Sequence, residues 1–276
     1  LGLGKISVGP PYFATVFIIP TIPMVLLMSL GMHTAWKKAD WSRVTGKVRL
    51  AFFAALVLGI AVPLFVYGRI GLLLAIGVFA SFWLMMSSLL DPATFLWKRR
   101  SLRGYPRSLL GMHIAHFGIG VFVLGVAITS AFGVEKDVGM KRGEVLELSG
   151  STFQLNDLSD VQGPNYTAVQ AEVVVRKGDT VVATLNPQKR VYRVQTNPMT
   201  EASIHPRLSR DLFVALGEPL GADTWSMRVQ YKPMIRLIWL GALLMAFGGL
   251  VSVSDQRYRA RRRSEAPSGA VEAAST

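Results

Sequence analysis

The sequence of 276 residues is 51% hydrophobic and 17% charged, and its several long uncharged runs indicate an integral membrane protein. It contains no cysteine, which excludes disulfides, thiolate metal sites and a thiol nucleophile within this chain. The formal net charge is +13, but residues 133–232 hold twelve Lys or Arg against twelve Asp or Glu. The excess therefore belongs to the membrane part, where the positive-inside rule explains it better than nucleic-acid binding does.

Residues 1–132 are predicted to form a membrane region. Four apolar runs in it predict membrane spans: residues 12–30, 50–67, 70–90 and 109–132. The first run is interrupted by Pro20 and Pro23, so we expect a kinked helix there.

Three groups of five basic residues predict the orientation. They are Lys37, Lys38, Arg43, Lys47 and Arg49; Lys98, Arg99, Arg100, Arg103 and Arg107; and Arg257, Arg259, Arg261, Arg262 and Arg263. Short loops rich in Lys and Arg stay in the cytoplasm. We therefore expect five spans, with the N-terminus outside and the C-terminus inside.

The run of residues 109–132 contains two histidines three positions apart. On a helix, one side carries His113, His116, Phe117, Gly120 and Leu124. Gly111, Gly118 and Gly125 recur every seven residues on the other side, where they would let a neighbouring helix approach closely. Gly120 is expected to leave space beside the imidazoles for a flat ligand.

Each histidine has a structural interpretation beside a functional one. A histidine inside a span is a functional candidate, because its desolvation must be offset, and neutral imidazole is a good axial ligand to haem iron. The alternative, preferred for His113, is a hydrogen bond to a neighbouring helix. His33, in a basic loop, is expected to be solvated, and His205 to be a surface residue.

After residue 132 the pattern alternates with a period of two, which predicts an extracytoplasmic β-rich domain over residues 133–232. Its expected strands are residues 144–149, 152–157, 167–176, 180–185, 189–195, 211–216 and 225–231. Residues 233–253 predict the fifth span, and residues 254–276 a basic cytoplasmic tail. The chain begins at Leu1 without Met, so we expect a C-terminal portion or a separately encoded part of a larger protein.

Several short motifs resemble those of one family. They are Ser7-Val8-Gly9-Pro10-Pro11-Tyr12, His116-Phe117-Gly118, Val134-Glu135-Lys136-Asp137-Val138, Gly163-Pro164-Asn165, Met199-Thr200-Glu201-Ala202, Arg210-Asp211-Leu212 and Tyr231-Lys232-Pro233. From about Ser7 to Arg261 the sequence resembles the C-terminal part of CcmF, the membrane haem lyase family that attaches haem to c-type cytochromes.

The resemblance implies that His116 is one of two membrane histidines that ligate the iron of a b-type haem, which reduces the incoming substrate haem. It assigns no ligand role to His113. The tryptophan-rich haem-handling segment, two external histidines and the second membrane histidine belong to the N-terminal portion of the family. The implied partners are that portion, a haem-delivery chaperone, apocytochrome c and its thiol-handling partner, in a bacterial-type inner membrane.

Two other functions compete with a haem lyase component. A non-catalytic scaffold would dock the haem chaperone and the apocytochrome while the chemistry takes place elsewhere. A small-molecule transporter would need charged or broken helices near the middle of the membrane, and apart from Pro20 and Pro23 the sequence shows none. No catalytic residue is identified.

Overall fold

The computed structural model describes residues 9–34, 40–68, 71–194, 197–221 and 223–255. Parts of the expectations above lie outside the described residues: Ser7 and Val8, Lys37 and Lys38, Ile70, Gln195, and the tail beyond residue 255. The chain divides into two compact units. A helical unit contains Leu1–Ala127 and Ile238–Thr276, and a β unit contains Ile128–Leu237.

Five helices are described: α1 (Pro10–Gly31), α2 (Trp41–Tyr67), α3 (Leu72–Arg99), α4 (Arg107–Phe132) and α5 (Arg236–Val253). Within the described residues, α2, α3, α4 and α5 are long and apolar enough to cross a membrane, whereas the apolar stretch of α1, Thr15–Gly31, is shorter. The four apolar helices fit the expected membrane protein. A fifth span at residues 12–30 stays a prediction.

Helix α2 begins nine residues before the apolar run that predicted it. The side chain of Asp40 accepts a hydrogen bond from the Arg43 N–H and so satisfies one of the free donors at the helix start. The helix therefore includes much of the first basic loop. Helix α1 continues through Pro20 and Pro23.

Helix α3 lies at the centre of the first three helices. Its Trp83 packs with Ala51 and Ala55 of α2 in one buried cluster. Its Leu84 packs with Val25 of α1 in another. Packing on two sides explains why α3 buries more of its apolar surface than α2 does.

Helices α4 and α5 pack through glycines, as the heptad spacing predicts. A Cβ atom built at Gly118 would lie 2.8 Å from the carbonyl oxygen of Gly241, and one at Gly241 would lie 2.6 Å from the carbonyl oxygen of Gly118. Gly111 and Gly248 face each other in the same way one heptad further along. Only glycine allows the two backbones to come this close.

The described residues of the β unit form ten strands: β1 (Val134–Lys141), β2 (Val145–Leu148), β3 (Ser151–Gln162), β4 (Tyr166–Lys177), β5 (Thr180–Leu185), β6 (Gln188–Tyr192), β7 (Met199–Glu201), β8 (Ser203–Arg207), β9 (Arg210–Pro219) and β10 (Thr224–Pro233). One sheet has the order β1-β10-β9-β8. The other has the order β2-β3-β4-β6-β7, with β5 also paired to β4. Buried side chains from both sheets, such as Phe153 and Leu216, share one core. The unit is a β-sandwich.

Three strands, β1, β7 and β8, have no counterpart among the predicted strands. Strand β1 carries three consecutive charged residues, Glu135 to Asp137, which hide its alternation. It is held by β10 instead, where the Arg228 guanidinium donates to Asp137 at 2.7 Å. Strands β7 and β8 are short, at three and five residues. Such strands exist because a neighbour pairs with them and not because of their own pattern.

Candidate functional site

His116 lies on α4 with its two ring nitrogens in different environments. Its Nδ1 lies 2.8 Å from the Met112 carbonyl oxygen, one turn earlier. A carbonyl oxygen can only accept, so Nδ1 carries the proton, and Nε2 is the nitrogen with a free lone pair. No hydrogen bond to Nε2 occurs among the described residues, and the side chain is half-buried.

His113 is the more deeply buried of the two helix histidines, with 4% of its surface exposed. Its Nδ1 has no hydrogen-bond partner among the described residues. Its ring lies 6.3 Å from that of Tyr105, centroid to centroid. The hydrogen bond to a neighbouring helix that was preferred for His113 is therefore absent at Nδ1.

The expectation that Gly120 leaves space for a flat ligand is wrong. A Cβ atom at Gly120 would collide with the Met85 side chain and lie 3.0 Å from the Ser81 carbonyl oxygen, both on α3. Gly120 is thus a further close-packing glycine of α4, and it brings α3 against the histidine side of that helix.

The expectation that His33 is solvated is also wrong. Its side chain is fully buried, with Nδ1 3.0 Å from a carboxylate oxygen of Asp91. Its Nε2 lies 3.0 Å from Ser87 Oγ and 3.1 Å from the Ser87 carbonyl oxygen. The Ser87 hydroxyl donates a hydrogen bond to the Ser29 carbonyl oxygen at 2.7 Å, so it accepts from the ring.

Both ring nitrogens of His33 therefore lie within hydrogen-bond distance of acceptor oxygens, which fixes the orientation of the ring. Lys47 contacts the other oxygen of Asp91. The carboxylate of Asp91 on α3 thus contacts both Lys47 of α2 and His33, which lies just after the end of α1. The sequence offers a signal for it, because Asp40 and Asp91 are the only acidic residues among residues 1–132.

A cavity of about 500 Å³ lies beside this cluster. The ionisable side chains that line it are His33, Lys47, Asp91, Lys98, Tyr105 and His113. Burial, with a smaller contribution from the negative charge of Asp91, raises the pKa of Tyr105 to about 12, so its hydroxyl stays a neutral donor. His113 is the histidine of α4 that faces this cavity, whereas His116 does not line it.

His205 lies on β8 and is half-buried. Its Nε2 accepts a hydrogen bond from Arg207 Nε at 3.2 Å. Burial, and then the positive charges of Arg210 and Arg207, lower its pKa, so the ring is neutral at pH 7. Among the described residues, no group of three or more His, Asp or Glu could hold a metal ion.

The comparisons with known proteins agree with this architecture. Residues 131–233 match the family model described as the CcmF C-terminal beta-sandwich. The cytochrome c-type biogenesis protein CcmF of Haemophilus influenzae is 37% identical over 94% of this chain and 41% of its own length. CcmF of Escherichia coli is 34% identical over 95% of this chain and 40% of its own length.

A solved structure, the cytochrome c heme lyase CcmF, has the same fold. Its TM-score is 0.72 at 20% sequence identity, and the match covers 89% of this chain and 41% of that chain. The fold thus defines an apolar-helix membrane protein with a β-sandwich between its last two helices. The chain belongs to the CcmF family of cytochrome c-type biogenesis proteins and corresponds to its C-terminal portion. It spans about two fifths of the length of the curated relatives named here.

Proposed function

We propose that this chain is a component of a membrane haem lyase of cytochrome c maturation and that His116 is an axial ligand to a b-type haem. The observation that carries the proposal is the orientation of the His116 imidazole. Its Nδ1–H is held by the Met112 carbonyl, which leaves Nε2 to face an iron atom. Histidines that ligate metals are fixed in this way by a hydrogen bond from the other ring nitrogen.

The residues present fit half of a haem site. His116 supplies one neutral imidazole, and the second axial ligand comes from outside this chain. A b-type haem held there by His116 would supply one-electron redox chemistry to the maturation reaction. The role of α4 is to hold one ligand in a fixed ring orientation, because the backbone carbonyl that accepts from Nδ1 belongs to the same helix.

The partners follow from the same proposal. The N-terminal portion of the haem lyase supplies the second ligand and the remaining haem-handling segments. A haem-delivery chaperone, apocytochrome c and its thiol-handling partner meet the complex on the periplasmic side of the inner membrane. The family and the four apolar helices among the described residues support a location in a membrane, and the basic groups in the sequence favour the periplasmic side for the sandwich.

Reporter fusions test the orientation. A periplasm-active reporter inserted near Gly178, in the turn between β4 and β5, should be active. The same reporter near Arg100, between α3 and α4, should be silent, because the basic groups keep that loop in the cytoplasm. The opposite pattern would place the β-sandwich in the cytoplasm and overturn the proposal.

A haem stain and a reduced-minus-oxidised spectrum test the haem site. This chain purified with its N-terminal counterpart should show a b-type haem, and the chain alone should show little, because one of the two axial ligands is missing. If neither preparation binds haem, the chain acts as a scaffold that docks the other components.

A further inference from the structure

The hairpin of β8 and β9 carries a pair of arginines at its tip. Arg207 and Arg210 stand opposite each other in the register, and the two-residue turn Leu208-Ser209 joins them. Neither guanidinium forms an ion pair among the described residues. The Nε of Arg207 donates to His205, and the Nη1 of Arg210 is buried without a hydrogen-bond partner among those residues.

The one carboxylate on this hairpin is already engaged. Asp211 accepts from the Arg236 Nε at 3.1 Å and from the backbone N–H of Arg207 at 3.3 Å. Burial, and then the nearby charge of Arg207, lower the pKa of Arg210, while the charges of Tyr231 and Asp211 act in the opposite direction. Two neighbouring guanidinium groups that form no ion pair are suited to bind an anion.

The tip between the arginines is apolar and exposed. Leu208 has 72% of its surface exposed, and Ile204, further back on β8, has 50%. A large exposed apolar residue between two arginines has the composition of an element that enters the interface of a membrane, where the aliphatic chain reaches inward and the cations stay at the headgroups.

The hairpin also lies where the chain leaves the sandwich for its last apolar helix. The backbone N–H of Met234 donates to the Ser209 carbonyl oxygen at 3.0 Å, and the ion pair of Arg236 with Asp211 fixes the first residue of α5 beside β9. Because α5 is apolar enough to span a bilayer, its first turn marks the level of the headgroups.

We propose that the tip of the β8–β9 hairpin is a binding site for an anionic phospholipid. Leu208 inserts at the upper end of the acyl chains, and Arg207 and Arg210 bind the lipid phosphate. The inference depends on α5 crossing the membrane and not on the haem site. It assigns the lipid surface as the partner of a part of the sandwich that no other described residue covers.

A single-cysteine label tests the insertion, since the chain contains no other cysteine. Leu208→Cys carrying a polarity-sensitive fluorophore should shift to the blue when the full chain is moved from detergent into nanodiscs that contain phosphatidylglycerol. The matched control is Leu220→Cys. Leu220 is also exposed, at 64%, but it follows the far end of the ten-residue β9, roughly 33 Å away.

The label at Leu220 should not shift. Equal spectra at the two positions would overturn the proposal. A shift at Leu208 that appears only when the N-terminal portion of the lyase is added would also overturn it, because it would show that a protein covers the tip.

Native mass spectrometry of the full chain tests the arginines. The wild type should retain phosphatidylglycerol in preference to phosphatidylcholine, and Arg207→Gln with Arg210→Gln should reduce that retention about tenfold. The control is Arg193→Gln, an exposed arginine directly after β6, which should retain lipid like the wild type. Inorganic phosphate alone should not displace the lipid, because it lacks the acyl chain that contacts Leu208.

Equal lipid retention by the double variant and the Arg193 control would contradict the proposal. If the double variant does not fold, the label at Leu208 still decides between the outcomes with both arginines in place.

Discussion

Replacing His116 with alanine should remove most of the b-type haem from the assembled lyase and stop the maturation of c-type cytochromes. The substitution removes both the coordinating Nε2 and the hydrogen bond from Nδ1 to Met112 that fixes the ring. A reduced-minus-oxidised spectrum of the complex measures the haem, and a haem stain of the exported cytochromes measures the maturation.

Three other histidines provide the comparison. His113→Ala and His205→Ala should retain much of both haem and maturation. His33→Ala should do the same unless loss of the contact with Asp91 lowers the amount of folded chain, which is measured separately. His116→Gly should recover haem when imidazole is added, because free imidazole can occupy the vacated position. Loss of haem in His113→Ala but not in His116→Ala would show that the wrong histidine has been chosen.

A methyl group at Gly248 should destabilise the helical unit by about 1–3 kcal/mol, the usual cost of overpacking. The new Cβ would lie 2.6 Å from the Gly111 carbonyl oxygen and 2.5 Å from the backbone nitrogen of Ala115, both on α4. These are backbone atoms, so the two helices must separate to accommodate it. Thermal unfolding of the purified chain in detergent measures the change.

The neighbouring residue gives a matched control on the same helix. A Cβ atom at Gly249 meets no atom within 4 Å. Gly249→Ala should therefore be neutral or slightly stabilising, because alanine favours a helix by about 1 kcal/mol relative to glycine. Equal melting temperatures for the two variants would show that the close approach of α4 and α5 contributes little to stability.

The parts of the fold that the sequence predicts correctly are those that have a strong period. The four apolar helices and the switch to alternation after Phe132 are of this kind. The glycines at heptad spacing also predict a close helix contact, because a helix face without side chains lets a neighbouring helix approach closely. Short or charged strands such as β1 and β8 lack any period of their own and are defined by their neighbours in the sheet.

The candidate site was likewise predictable only in part. The sequence indicates His116 as a candidate, but the direction of its ring depends on a hydrogen bond that no spacing reveals. His33 was misjudged because the partners that bury it, Asp91 and Ser87, lie more than fifty residues away. Gly120 was misjudged because a helical wheel shows which face a residue occupies and not which neighbour fills that face.

The pairing of the first and last strands of the sandwich has a consequence for how the chain folds. Only Gly133 separates α4 from β1, and the first residue of β1, Val134, pairs with Tyr231 near the end of β10. The Thr129 hydroxyl, in the last turn of α4, donates to the Pro233 carbonyl oxygen at 2.7 Å. The excursion of the chain from α4 through the sandwich therefore returns to within about one strand spacing of its origin, roughly 5 Å.

If the chain between α4 and α5 were a flexible loop, bringing its ends together for the two helices to associate would cost conformational entropy. Here the sheet has already closed the loop, so once β1 and β10 have paired, the two helices can associate as if they were joined by a tight turn. Lengthening the loop after Pro219 would leave the pairing of β1 with β10 unchanged. Breaking that pairing would add the entropy cost of bringing α4 and α5 together.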